Sequence, residues 1–215
     1  MTPSALQSDW RLAHGLAFIL LMAGALLIPV FRGWPWVWLA PFIAYFVLVV
    51  SVPRLRRSMA WLHAGRLSSA SIAVTIAVMV LTVLSLVLFH TTVHPDVRGY
   101  RAAIPFGVLG GVVMAGVVFT IVNATLEELV FRGILFDALQ SQWGVWVTLA
   151  ATALLFGVGH VRGYPSGVVG ACLAALFGLA MGVLRLWTGG LALPILAHMA
   201  ADATIYGILV HSGSV

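Results

Sequence analysis

Residues 110–139 read GGVVMAGVVFTIVNATLEELVFRGILFDAL, an apolar stretch that is longer than one membrane crossing requires. Glu127, Glu128 and Arg132 interrupt this stretch in the pattern E-E-L-V-F-R. A charged residue at the centre of a membrane helix costs roughly 2.5–3.5 kcal/mol on insertion scales. Three ionisable residues near the middle of such a segment therefore predict chemistry or ion movement at membrane depth.

The composition is that of a membrane protein. Of the 215 residues, 62% are hydrophobic and only 8% are charged, whereas a soluble domain has about 25% charged residues. The length predicts one integral membrane domain over residues 1–215. All eleven basic residues are arginine, which is typical of a GC-rich bacterial source and predicts the bacterial inner membrane. The sequence has no face of clustered basic and aromatic residues that would indicate a nucleic-acid partner. The expected partner is therefore the lipid bilayer.

The apolar segments predict an all-α, polytopic bundle of about seven transmembrane helices, because each segment is close to the roughly 17–25 residues that cross a bilayer. The predicted spans are Gly15–Phe31, Trp36–Val52, Ser69–Phe89, Ile104–Leu126, Val145–His160, Gly167–Trp187 and Leu191–Val210. The fourth continues to about Leu139, so we expect a tilted or broken helix there.

Arginine distribution predicts the orientation in the membrane. The loop Pro53–Arg66 is the most basic loop of the chain, and cytoplasmic loops carry an excess of arginine and lysine. We therefore expect this loop and the N-terminus inside and, with seven spans, the C-terminus outside. The opposing loops also contain arginines, which weakens the asymmetry.

The spacing around the two glutamates predicts different roles for them. Glu128 and Arg132 are four residues apart on one helix face, which favours an ion pair that supports the helix. Glu127 points about 100° away from Glu128 and is the freer carboxylate. Asn123 lies one turn before Glu127 and is expected to orient it.

Three polar residues in later segments are further site candidates. His160 ends the run FGVGH, and a histidine at the end of a helix is either interfacial or functional. His198 and Asp202 are four residues apart on one face of the last span. This spacing lets Asp202 orient the imidazole, or lets both bind one ion or substrate oxygen. By contrast, we expect His14 to be a wet interfacial residue and Asp137 to be solvated near the end of a span.

Three motifs in order on successive helices resemble those of the CPBP family of intramembrane proteases, which includes the type II CAAX prenyl endopeptidases and bacteriocin-processing or immunity (Abi-like) proteins. They are Glu127-Glu128-x-x-x-Arg132, Phe156-x-x-x-His160 and His198-x-x-x-Asp202. The resemblance covers about residues 110–210, so residues 104–210 are the expected catalytic helix core. Residues 1–103 carry no family pattern.

The resemblance implies a conical intramembrane active-site cavity and a glutamate-type hydrolase. Glu127 is then the base that activates a water, His160 helps to hold that water, and His198 and Asp202 lie at the oxyanion. The eukaryotic prenyl proteases have Asn where this chain has Asp202. Because an ionised aspartate cannot donate to an oxyanion, Asp202 is left with three roles: polarising His198, acting when protonated, or binding a metal.

Metal dependence stays open from the residues alone. Glu127, His160, His198 and Asp202 include enough ligands for a catalytic zinc with three protein ligands and a water. The sequence has no H-E-x-x-H motif, and the ligands come from separate helices. The resemblance favours catalysis without a metal or other cofactor.

The residues also leave two other functions open. A proton- or ion-coupled transporter would use intramembrane acids and histidines as a relay, but the sequence shows no inverted repeat. A non-catalytic membrane immunity or scaffold protein would not need the full set of catalytic-type groups. For the protease, the expected substrate is a membrane-anchored peptide, a leader peptide or a C-terminal tail.

Overall fold

A computed structural model of the chain describes residues 3–212, with side chains described from Trp10 onward. All regular secondary structure in this range is helical. The helices are α1 (Pro3–Leu27), α2 (Trp36–Ser51), α3 (Pro53–Arg57), α4 (Ser69–Val93), α5 (Arg98–Arg101), α6 (Leu109–Glu128), a π-helix (Leu129–Leu135), α7 (Phe136–Gly159), α8 (Gly167–Thr188) and α9 (Ala192–His211), with a 3-10 turn at Pro29–Phe31. The predicted all-α polytopic bundle is confirmed.

Five helices in the described range are long and apolar enough to cross a membrane, where the sequence predicted about seven spans. Two observations account for the difference. Helix α2 has only 16 residues, which is short for a crossing. In addition, Leu109–Gly159 is one helical run of 51 residues, and the sequence had divided it into two spans.

This long run is broken where glycine permits it. Gly144 has φ 74° and ψ 179°, a backbone conformation that is open to glycine and strained for other residues. The run therefore bends at Gly144, between the segments that the sequence had predicted as the fourth and fifth spans. The predicted broken helix is present, but its break lies after Leu139.

Helices α6 to α9 form the centre of the bundle. Helix α7 packs mainly against α8, and α6 and α4 both pack against α9. The closest approaches use glycine: a Cβ on Gly182 would lie 2.7 Å from Leu149, and one on Gly157 would lie 2.6 Å from the carbonyl oxygen of Ala171. Small residues at these crossings let the helices approach closely.

The N-terminal helices are attached to one another through His14, which is only 1% exposed. Its Nε2 donates to the carbonyl oxygen of Leu55 at 3.0 Å, and Tyr45 Oη donates to its Nδ1 at 2.6 Å. Burial of the ring was possible because both nitrogens find partners on α2 and α3. The expectation of a wet interfacial His14 was therefore wrong.

Asp137 is also buried, with 9% of the residue exposed. Its Oδ2 lies 3.5 Å from Arg11 Nε of α1, so a partner from a distant part of the chain compensates its charge. The expectation of a solvated Asp137 was wrong for this reason. The pair attaches α1 to the first turn of α7.

Candidate active site

The E-E-x-x-x-R motif lies where α6 changes into the π-helix. Glu128 is the last residue of α6, and Arg132 is the fourth residue of the π-helix Leu129–Leu135. Arg132 Nη1 donates to Glu128 Oε1 at 2.9 Å, and both side chains are completely buried. The ion pair predicted from the spacing is present.

Arg132 has further contacts that hold it in the centre of the bundle. Its Nη2 donates to the carbonyl oxygen of Gly178 on α8 at 3.0 Å. A Cβ on Gly178 would lie 3.1 Å from the same nitrogen, so glycine gives the guanidinium its room. The guanidinium carbon also lies 4.7 Å from the ring centroid of Phe156 on α7, a cation–π distance. Arg132 thus connects three helices.

Glu128 is also the partner of His198. His198 Nδ1 donates to Glu128 Oε1 at 2.8 Å, the same oxygen that accepts from Arg132. A carboxylate on one ring nitrogen fixes the orientation of the imidazole and leaves the other nitrogen for chemistry. From the sequence, Glu128 was predicted only to pair with Arg132. Its contact with His198 joins α6 to α9, and residues on different helices have no fixed spacing in the sequence.

The second ring nitrogen of His198 faces two carboxylates. His198 Nε2 lies 3.6 Å from Glu127 Oε2 and 3.7 Å from Asp202 Oδ1. These distances are slightly too long for direct hydrogen bonds and correspond to close polar contacts. Glu127 Oε2 has no hydrogen-bond partner among the described residues. Glu127, His198 and Asp202 are therefore brought together as the motifs predicted.

Asn123 holds Asp202. Its Nδ2 donates to Asp202 Oδ2 at 3.2 Å, and both residues are buried. The sequence had connected Asn123 only with Glu127, one turn along the same helix. Asn123 interacts with Glu127 as well, and its hydrogen bond to Asp202 joins α6 to α9 beside the site.

His160 belongs to the same region without a hydrogen bond to the other candidates in the described residues. Its Nδ1 donates to the carbonyl oxygen of Phe156 at 2.8 Å, and its ring centroid lies 4.6 Å from that of Phe156. The Phe156 ring also lies 5.7 Å from the His198 ring. Phe156 thus separates the two imidazoles and sets their relative positions.

A cavity of about 270 Å³ is lined by three of the four candidates, His160, His198 and Asp202, but not by Glu127. His160, His198 and Asp202 supply polar groups to its wall, and the rest of the wall is largely apolar. One side is formed by α4, which contributes Val78, Leu81, Thr82, Ser85 and Leu86. Nothing in the sequence indicated that α4 would reach the site, because none of the three motifs lies on this helix.

A catalytic zinc would need three protein ligands within reach of one ion. Among residues 3–212, no group of three or more His, Cys, Asp or Glu side chains is arranged to hold a metal ion. The four candidates Glu127, His160, His198 and Asp202 are thus not arranged as a ligand shell here.

Comparison with known proteins bears on this site directly. Residues 109–204 match the family model described as type II CAAX prenyl endopeptidase Rce1-like. The predicted CPBP family is confirmed over these residues. The match contains all three motifs and indicates a membrane protease at the level of the family. The family match and the five helices that are long and apolar enough to cross a membrane identify the chain as an integral membrane protein.

One curated relative and the solved structures complete the comparison. An "Uncharacterized 24.3 kDa protein" of Escherichia coli is 40% identical over 87 residues, which are 39% of this chain and 37% of that protein. The matched part is thus a little over a third of that relative's length. No solved structure gives a significant match.

Proposed function

We propose that this protein is an intramembrane endopeptidase that hydrolyses a peptide bond of a membrane-associated protein or peptide. The observation that carries the proposal is the convergence of Glu127 and Asp202 on His198 Nε2 at 3.6 and 3.7 Å. These groups are buried, and His198 and Asp202 line a cavity large enough for a substrate side chain.

Glu127 is the proposed base. Its Oε2 has no hydrogen-bond partner among the described side chains, so it is free to accept a proton from a water that also contacts His198. The resulting hydroxide attacks the carbonyl carbon of the scissile bond. The proton then passes from Glu127 to the leaving amine, since amide hydrolysis requires both an activated water and protonation of the leaving group.

His198 is the proposed stabiliser of the tetrahedral intermediate. Glu128 accepts from its Nδ1 and thereby keeps Nε2 directed at the reacting atoms. When protonated, Nε2 donates to the oxyanion, the kind of contact that contributes most to acyl-transfer catalysis. Asp202, fixed by Asn123, orients the imidazole from the other side, and His160 helps to hold the water in the cavity.

The cavity supports an apolar, membrane-associated substrate. Apart from the polar candidates, its wall consists mainly of aliphatic and aromatic side chains of α4, α8 and α9. We propose a membrane-anchored peptide, a leader peptide or a C-terminal tail as substrate, and the bacterial inner membrane as the location. Because water activated by Glu127 supplies the nucleophile, we propose that the reaction needs no metal or cofactor.

The proposal is tested by comparing bacterial membranes that contain the wild-type protein with membranes that contain Glu127→Gln. Mass spectrometry of peptide termini should find cleavage products only with the wild type. Identical sets of termini would contradict the proposal. A peptide identified in this way, incubated with purified protein in liposomes, should still be cleaved after treatment with a chelator. Ion flux through the liposomes without cleavage would favour a transporter. The absence of both cleavage and ion flux would favour a scaffold.

A further inference from the structure

Arg185 in the last turn of α8 contacts the backbone of the catalytic region without reaching the catalytic side chains. Its Nε donates to the carbonyl oxygen of Arg132 at 3.2 Å. Its Nη2 donates to the carbonyl oxygen of Trp61 at 3.4 Å. The planar guanidinium has several donors in fixed directions, so one side chain can hold the two carbonyl groups at a fixed separation.

The two carbonyl groups belong to segments that also touch each other. A Cβ on Gly133, the residue after Arg132, would lie 2.6 Å from Cε3 of Trp61. Trp61 is itself only 2% exposed. The indole thus packs directly on the backbone of the π-helix, and Arg185 holds together the segments on both sides of that contact.

The backbone that Arg185 holds has an unusual conformation. Residues Leu129–Leu135 are in π-helical geometry, which is rare and less favourable than the α-helix that continues on either side. The conformation needs tertiary contacts to persist. It also decides where the Arg132 side chain points, and so whether its Nη1 reaches Glu128.

An unbroken series of contacts leads from this backbone to the imidazole of the site. Arg185 holds the carbonyl group of Arg132, the side chain of Arg132 donates to Glu128 Oε1, and His198 donates to the same oxygen. Only the last of these residues faces the reacting atoms. Each earlier contact fixes the next.

We propose that Arg185 is a positioning residue that stabilises the π-helix and thereby holds Glu128 in register with His198. The inference rests on the proposed protease activity for its effect on rate, but its structural part is independent of that activity. It also gives the Trp61 segment, which lies outside the matched residues 109–204, a part in the working of the site.

The first test measures the backbone directly. Hydrogen–deuterium exchange of the full-length protein in detergent is compared for wild type, Arg185→Gln and Arg185→Lys. Exchange in peptides that cover residues 129–135 should become faster in Arg185→Gln, and Arg185→Lys should restore part of the protection. Arg57→Ala is the matched control, since this arginine is exposed on α3, and it should leave this exchange unchanged. Unchanged exchange in Arg185→Gln would overturn the proposal.

The second test separates positioning from general stability. With a peptide that the wild type cleaves, Arg185→Gln should lower kcat by about tenfold to a hundredfold, the range expected when a catalytic group is displaced by about 1 Å. KM should stay nearly unchanged, and Arg185→Lys should recover part of kcat. In a Glu128→Gln background, Arg185→Gln should have little further effect on kcat, because both changes disturb the same series of contacts.

The outcomes distinguish this inference from the proposed function. Wild-type kcat in Arg185→Gln, or full additivity with Glu128→Gln, overturns the positioning role while the protease assignment stands. A normal KM with a lowered kcat and an unchanged melting temperature supports it. Altered exchange at residues 129–135 in a protein that cleaves no peptide would count against the protease and leave the structural role of Arg185 supported.

Discussion

His198 Nδ1 lies 2.8 Å from Glu128 Oε1, and this same oxygen accepts a hydrogen bond from Arg132. The second glutamate of the motif therefore acts on the imidazole directly as well as on the helix. All three side chains are buried, so neither the ion pair nor the orientation of the ring is weakened by solvent. The supporting ion pair and the candidate catalytic histidine form one unit.

Glu128→Gln should consequently impair both stability and activity. The change leaves the Arg132 guanidinium buried without its counter-charge, and breaking a buried pair in this way costs about 3–5 kcal/mol. We expect a large fall in the melting temperature in detergent and a fall in kcat with little change in KM. Thermal unfolding and steady-state kinetics on the same preparation measure the two effects.

The exposed pair Asp96–Arg98 provides the control for Glu128→Gln. Its side chains are 60% and 89% exposed, and hydrogen bonds from Arg98 lower the pKa of Asp96 to about 2, so this pair is also charged at neutral pH. Asp96→Asn should change neither the melting temperature nor kcat noticeably. Equal effects of the two substitutions would contradict the role of Glu128.

The wall that α4 contributes to the cavity should determine substrate affinity. Thr82 and Ser85 line the cavity, so Thr82→Trp or Ser85→Trp would fill space that the substrate needs. We expect KM for the cleaved peptide to rise by about tenfold or more, since each 1.4 kcal/mol of lost binding is a factor of ten, while kcat changes less. Leu84→Trp is the control, because Leu84 lies on the same helix and is 60% exposed on the outer surface. An equal rise in KM for Leu84→Trp would contradict the assignment.

Gly133→Ala should destabilise the protein through the contact with Trp61. The new Cβ would lie 2.6 Å from Trp61 Cε3 and 3.0 Å from Cζ3, so the indole or the π-helix has to move. Overpacking of this kind costs typically about 1–3 kcal/mol. Gly24→Ala on α1, where nothing lies within 4 Å of the new Cβ, should not lower the melting temperature. Thermal unfolding of both variants decides the matter, and a fully stable Gly133→Ala would show that the contact is not rigid.

Local spacing was sufficient to predict several features from the sequence. Apolar segments gave the helical membrane bundle, and the separation of four residues gave the Glu128–Arg132 pair. Both depend on residues that are close along one helix. The three motifs also indicated which side chains converge, although the sequence could not give the distances between them.

Features that depend on tertiary contacts were missed. His14 and Asp137 were expected to be exposed to solvent. Their partners Tyr45 and Arg11 belong to distant segments and could not be recognised from local spacing. The π-helix was not expected either, since Leu129–Leu135 has the composition of an ordinary apolar helix. The part of α4 in the cavity wall depends on how α4 packs on α8 and α9, which no pattern within α4 records.

The cleavage rate of Glu127→Gln tests the central claim most directly. The glutamine has nearly the same size as glutamate but cannot accept a proton from water, and loss of general-base catalysis lowers rates by about 10²–10⁴-fold. We predict a fall in kcat of at least about a hundredfold for the purified variant in liposomes, with an unchanged melting temperature and partial activity in Glu127→Asp. Cleavage by Glu127→Gln at the wild-type rate would contradict the account.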